Sequence, residues 1–116
     1  MNTRALFIIG TDPRTNPRPA EAVRIAAGVG AWQKVSITVY LHAAAVLALS
    51  EFPDELADGI HFSRYLPLLA EAGGLFCVQR GEPLLREIGE ASVPFREIDV
   101  RELAVLASEQ DFLMRF

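Results

Sequence analysis

Lys34 to Leu41 reads KVSITVYL, in which Val35, Ile37, Val39 and Leu41 alternate with Ser36, Thr38 and Tyr40. A period of two carried largely by β-branched residues predicts a strand. Just upstream, Ala22, Ile25, Ala26 and Val29 recur at i, i+3, i+4 and i+7, the buried stripe of a helix that starts near Pro19 or Ala20. Further back, Ala5 to Ile9 is a short apolar run of strand type. It is set apart by the loop GTDPRTNPRP, whose Pro13, Pro17 and Pro19 suit neither a ladder nor a helix interior. Strand, helix and strand in that order make a βαβ unit, and hence parallel strands with a helical crossover.

The pattern continues downstream. His42 to Ser50 reads as a further helix, and Phe52 to Ile60, with Pro53 and Gly59, as a mobile connection. Phe62, Tyr65, Leu66 and Leu69 have helical spacing, with Pro67 placing the start of the regular helix close to itself and Gly73-Gly74 ending it. Leu75 to Val78 predicts a third strand, closed by Gln79-Arg80-Gly81. Pro83 opens a helix that buries Leu84, Leu85 and Ile88 and turns Glu82, Glu87 and Glu90 to water. Phe95 to Ile98 predicts a fourth strand. Asp99 and Glu102 form the Asp-x-x-Glu start of a helix with Val100, Leu103, Ala104 and Ala107 as its stripe, and Phe112 to Phe116 a fifth strand. The expected fold is α/β: a three-layer sandwich around a five-stranded, mostly parallel sheet.

At 116 residues the chain has room for one domain, 1–116, against roughly 100–200 residues per domain. It is 51% hydrophobic, with mean hydropathy +0.23, more apolar than a domain of this size needs to fill its own core. The surplus predicts a homo-oligomer, and a last strand at the sheet edge would invite coverage by another subunit. A net charge of −4 and a single lysine, Lys34, argue against a phosphate-binding surface for nucleic acid. The longest clean apolar run, Ala43 to Leu49, is far short of a membrane span, and the N-terminal apolar stretch is too short for a signal peptide. With Cys77 the only cysteine, neither an internal disulfide nor a cysteine-built metal site is available, so a reducing cytoplasm is expected. The two histidines, His42 and His61, lack metal-ligand spacing, and His61 is expected to be solvated in the connection. No metal and no cofactor is predicted.

Ligands of open α/β sheets bind beyond the carboxyl ends of the strands. The residues there are Gly10, Thr11 and Asp12, then His42, then Gln79 and Arg80 after Cys77, then Asp99. A thiolate is favoured by a nearby cation or helix N-terminus. Arg80 and a helix starting near Gly81 or Glu82 would supply both to Cys77, and His42 is a candidate base or orienter for it. The competing reading is a packed core thiol, because free cysteine is among the most buried residue types and Cys77 sits within LFCV. Thr11, Asp12, Arg14 and Gln79 are the candidate ligand-binding residues. Arg14 and Arg18, with Thr11 and the helix start after them, also admit an anion or nucleotide, although no Gly-x-Gly-x-x-Gly or Walker motif is present.

The order of ALFIIGTDPRTNPRP, a small-residue helix, KVSITVYL with HAAAVLAL, LPLLAEAGG before LFCVQRG, and the closing ELAVLASEQDFLMRF resembles the DsrE/DsrF-like family of small sulfur-relay proteins, which includes the Tus subunits. The likeness spans nearly the whole chain. It implies a flavodoxin-like sandwich assembling into dimers, trimers or hexamers. Active members carry sulfur as a persulfide on a cysteine after a glycine-preceded strand, which Cys77 matches here.

The implied function is a cytoplasmic sulfur carrier of sulfurtransferase type. The Cys77 thiolate would attack a donor persulfide, hold the sulfane sulfur with Arg80 stabilising the anion, and pass it to an acceptor protein's thiol. Sulfur donor and acceptor proteins are then its partners. The alternative within the same family is a non-catalytic oligomeric module that binds a small ligand at the strand ends and uses Cys77 for packing.

Overall fold

The computed structural model describes residues 2–116. Strands β1 (Thr3–Ile9), β2 (Val35–Leu41), β3 (Leu75–Gln79), β4 (Arg96–Ile98) and β5 (Phe112–Arg115) form one sheet in the order β4-β3-β2-β1-β5. Every pair of neighbours is parallel. The helices are α1 (Arg18–Gly30), α2 (Ile60–Glu71) and α3 (Val100–Ser108). The α/β sandwich with a five-stranded parallel sheet is therefore the observed fold.

Strand alternation divides the core in two. Ala5, Phe7 and Ile9 of β1, with Ile37, Val39 and Leu41 of β2, pack against Ala22, Val23 and Ala26 of α1 and Phe62, Leu66 and Leu69 of α2. On the opposite face Leu6, Ile8, Tyr40, Cys77 and Ile98 lie beneath Leu103, Leu106 and Ala107 of α3. Two helices thus cover one face and a single short helix the other.

Several expectations are corrected. The segment after β2 is a 3-10 helix, Ala43–Leu49, and the one after β3 a 3-10 helix, Pro83–Glu87. The second has no buried residue of its own: Ile88 just beyond it is buried, and the Glu82 carboxylate, instead of facing water alone, accepts from the Leu84 N–H and caps it. The connection before α2 is ordered by a short 3-10 turn at Pro53–Glu55, and α2 begins seven residues before Pro67. Pro67 is exposed, so the carbonyl it leaves unbonded faces water and the helix continues through it. Gly73, at φ +93, then takes the left-handed position that ends this helix.

The stripe of α3 is Leu103, Leu106 and Ala107; Val100 is 80% exposed and Ala104 faces solvent. The helix start itself is as expected, with Asp99 accepting from the Glu102 N–H at 2.8 Å and Glu102 reaching back to the Asp99 N–H at 3.2 Å.

Candidate functional site

The carboxyl ends of β1, β2 and β3 meet in one tight arrangement. The His42 N–H donates to the Ile9 carbonyl at 3.1 Å, which places the imidazole over Gly10. A Cβ on Gly10 would overlap that ring, so this position admits glycine because of a close approach. The ring also stacks on Tyr40, with centroids 5.7 Å apart. Next in the chain, Ala43 takes φ 51, a left-handed conformation that costs a non-glycine residue about 1 kcal/mol or more. Its N–H donates to Gln79 Oε1 at 2.9 Å, so Gln79 ties the end of β3 to the turn after β2.

In the first loop Asp12 organises its surroundings. Its carboxylate accepts from the Arg14 backbone N–H at 2.9 Å and from the guanidinium at 3.0 Å, and these hydrogen bonds hold the carboxyl below its usual range. Thr11 is half-buried at the head of this loop. Arg18 lies over the Phe116 ring, 5.5 Å from its centroid, and donates to the Arg115 carbonyl at 3.3 Å. Both cations expected to receive an anion are thus bound within the chain.

Cys77 is elsewhere. It lies in the middle of β3 on the α3 face, 4% exposed, between Tyr40 on β2 and Arg96 on β4. Burial pushes its thiol up; the Arg96 guanidinium beside it pulls down, and Glu102 adds to the upward push. Arg80 is occupied by an ion pair with Glu102 at 3.1 Å, with Asp99 3.5 Å away. The 3-10 segment at Pro83 offers no α-helical N-terminus to a thiolate. No hydrogen bond joins His42 to Cys77 among the described residues, and Tyr40, stacked on His42, is the register partner of Cys77. The structure therefore gathers Gly10, His42 and Gln79 at the strand ends, leaves Cys77 and Arg80 apart, and gives Cys77 the neighbour Arg96. Local sequence offers no signal for Arg96, because the pairing depends on the β3–β4 register.

Two surface cavities border some of these groups, one Cys77 and Arg96 and the other Arg14. One, of about 430 Å³, is lined by Gly74, Leu75, Cys77, Pro94, Phe95 and Arg96, at the end of β3 and β4 opposite their carboxyl termini. The other, of about 620 Å³, lies beyond the carboxyl ends between the first loop and both 3-10 helices, with Arg14, Glu51, Phe52, Glu55, Leu56 and Glu87 in its walls. Of its three glutamates, Glu55 falls in the segment expected to be a mobile connection and Glu87 on the helix expected after β3, with its side chain to water. His61, on the first turn of α2, is half-buried: Nδ1 is shielded without a partner and the ring meets Tyr65 edge-on at 5.6 Å. Among the described residues no three potential metal-ligating side chains converge, and no helix is long and apolar enough to cross a membrane.

No protein-family profile and no curated protein sequence matches this chain. Among solved structures it is similar to the crystal structure of the ychN protein from E. coli, with a TM-score of 0.76 and 17% identity over 100% of both chains. That likeness shows a shared α/β fold along the whole chain.

Proposed function

We propose that this chain is a small-ligand-binding module built on a DsrE-like fold, with its site at the carboxyl edge of the sheet and with Cys77 serving as core packing. The observation that carries this reading is the position of Cys77, mid-strand beneath α3, where burial favours the neutral thiol that neither attacks nor holds sulfur readily. The cleft of about 620 Å³ beyond the strand ends has the location expected of a ligand site in an open α/β sheet and walls of mixed polarity. Gly10, His42, Ala43 and Gln79 do not line this cleft; they fix the strained turn after β2 from which the 3-10 helix Ala43–Leu49 leads to Leu47 in its wall.

A second reading, a sulfur carrier with the persulfide on Cys77, draws support from one observation: Cys77 and Arg96 both border the smaller cavity, which would give a donor persulfide a route to the thiol beside a fixed cation. One experiment separates the two. Native protein is treated with a thiol alkylator across a pH series and, in parallel, with a persulfide donor, and its mass is read. The binding module predicts that Cys77 labels at the rate of global unfolding and gains no sulfur. Rapid native labelling with a gain of one sulfur atom would overturn that reading in favour of the carrier.

A further inference from the structure

β5 is the less covered of the two edges of the sheet. At the other edge, the β4 carbonyl of Glu97 accepts from Arg80 at 3.3 Å and its carboxylate accepts from the Gly81 N–H at 3.5 Å, so that side is already partly covered. On β5 the Phe116 N–H donates to Ile8 O at 2.8 Å and the Phe116 carbonyl accepts from Gly10 at 3.0 Å. Residues of the same parity, Phe112 and Met114, therefore turn their backbone groups towards β1, and Leu113 and Arg115 turn theirs outward; the Arg115 carbonyl accepts from Arg18 at 3.3 Å, which leaves both groups of Leu113 and the Arg115 N–H to pair. The side chains are exposed as well: Phe112 is 61% and Leu113 42% accessible, on opposite faces, and neither α3 nor β5 buries any residue fully. An exposed apolar edge of this kind is a template for another strand.

We propose that β5 pairs antiparallel with β5 of a second copy of this chain, about a two-fold axis through Leu113, to form one continuous ten-stranded sheet. The sequence Asp111-Phe112-Leu113-Met114-Arg115 is self-complementary under that rotation. Leu113 faces its own counterpart as a hydrogen-bonded pair and exchanges both of its outward backbone groups. Phe112 meets Met114 on one face, and Asp111 meets Arg115 on the other, each twice. The Arg115 N–H gains the Asp111 carbonyl of the other copy, while the Asp111 N–H stays on Arg4 O, its bond at 2.8 Å within the chain. Opposite charges at both ends and apolar pairs between them fix this register and direction, since a one-residue slip sets Leu113 against Met114 and separates the charges. The occupant is a second copy because a single five-residue segment supplies both halves of the match. This pairing stands whatever occupies the cleft at the strand ends.

The test uses sedimentation equilibrium on the full chain, with circular dichroism to verify folding. Wild type is expected to be dimeric, and Arg115→Glu, which places two like-charged pairs across the axis, to raise the dissociation constant on the order of tenfold. Asp111→Lys alone is expected to weaken the dimer similarly. An equimolar mixture of the two variants restores opposite charges at both ends, so it should form heterodimers of near wild-type affinity. Leu113→Cys supplies an independent measurement: under mild oxidation it should cross-link, whereas Val105→Cys, on the exposed side of α3, should not. A monomeric wild type would overturn the proposal. So would a dimer indifferent to both charge changes, or one in which Leu113→Cys fails to cross-link.

Discussion

Cys77 and Arg96 are register partners on β3 and β4, with both side chains on the α3 face of the sheet. The cation acting on this thiol is thus its cross-strand neighbour, while Arg80, three residues along the chain, is held by Glu102 and Asp99. Arg96→Ala is expected to raise the Cys77 thiol further above its ordinary range, and Arg80→Ala to leave it in place or raise it slightly by freeing Glu102. Titration of thiolate by its ultraviolet absorbance reads both; a larger upward shift for Arg80→Ala than for Arg96→Ala would contradict this assignment.

Burial raises both Cys77 and Tyr40, and the Cys77 thiolate adds to the upward push on Tyr40. A group whose folded value is raised contributes stability that is fully present below its unfolded value and is lost as pH rises through the folded one. Stability should therefore fall above about pH 8.5, where unfolded cysteine ionises, and again above about pH 10 for tyrosine. Cys77→Ala should cost about 1 kcal/mol at neutral pH for the lost packing and should flatten the first part of the alkaline decline. Urea midpoints measured across that range test this; an unchanged slope in the variant would show that Cys77 is not its source.

The alternation in KVSITVYL and the stripe of α1 were enough to read the parallel βαβ layout, because a period is local and survives folding. Segment type was less legible after β2 and β3. Both turns are compact 3-10 helices held by contacts to distant residues, such as the Ala43 N–H to Gln79 and the Glu51 N–H to the Ile88 carbonyl at 2.8 Å. The members of the strand-end arrangement, Gly10, His42 and Gln79, were identifiable as residues that follow parallel strands. Their mutual contacts were not, and neither was Arg96: each depends on register, which no single stretch of sequence encodes.

The approach of His42 to Gly10 makes a specific demand on stability. Gly10→Ala would drive a methyl into the imidazole, and the overlap is with a side chain, which can move only by giving up its stack on Tyr40. The expected loss is about 1–3 kcal/mol, as for overpacking elsewhere. In a His42→Ala background the same substitution should cost much less. Equal costs in the two backgrounds would mean that the ring does not occupy the space above Gly10.

Ala43 and Gln79 should be energetically coupled. The left-handed turn at Ala43 persists because the Gln79 side chain accepts its N–H at 2.9 Å, so strain and hydrogen bond belong to one unit. Gln79→Ala removes the acceptor and is expected to destabilise by about 1–2 kcal/mol. Ala43→Gly relieves the strain and, after its own entropy cost in the unfolded chain, should be neutral or stabilising by up to about 1 kcal/mol. If the bond holds the strained turn, Gln79→Ala costs less in the Ala43→Gly protein than in wild type, giving a coupling above about 0.5 kcal/mol in a double-mutant cycle. Strict additivity would mean that the turn after β2 holds its shape without Gln79.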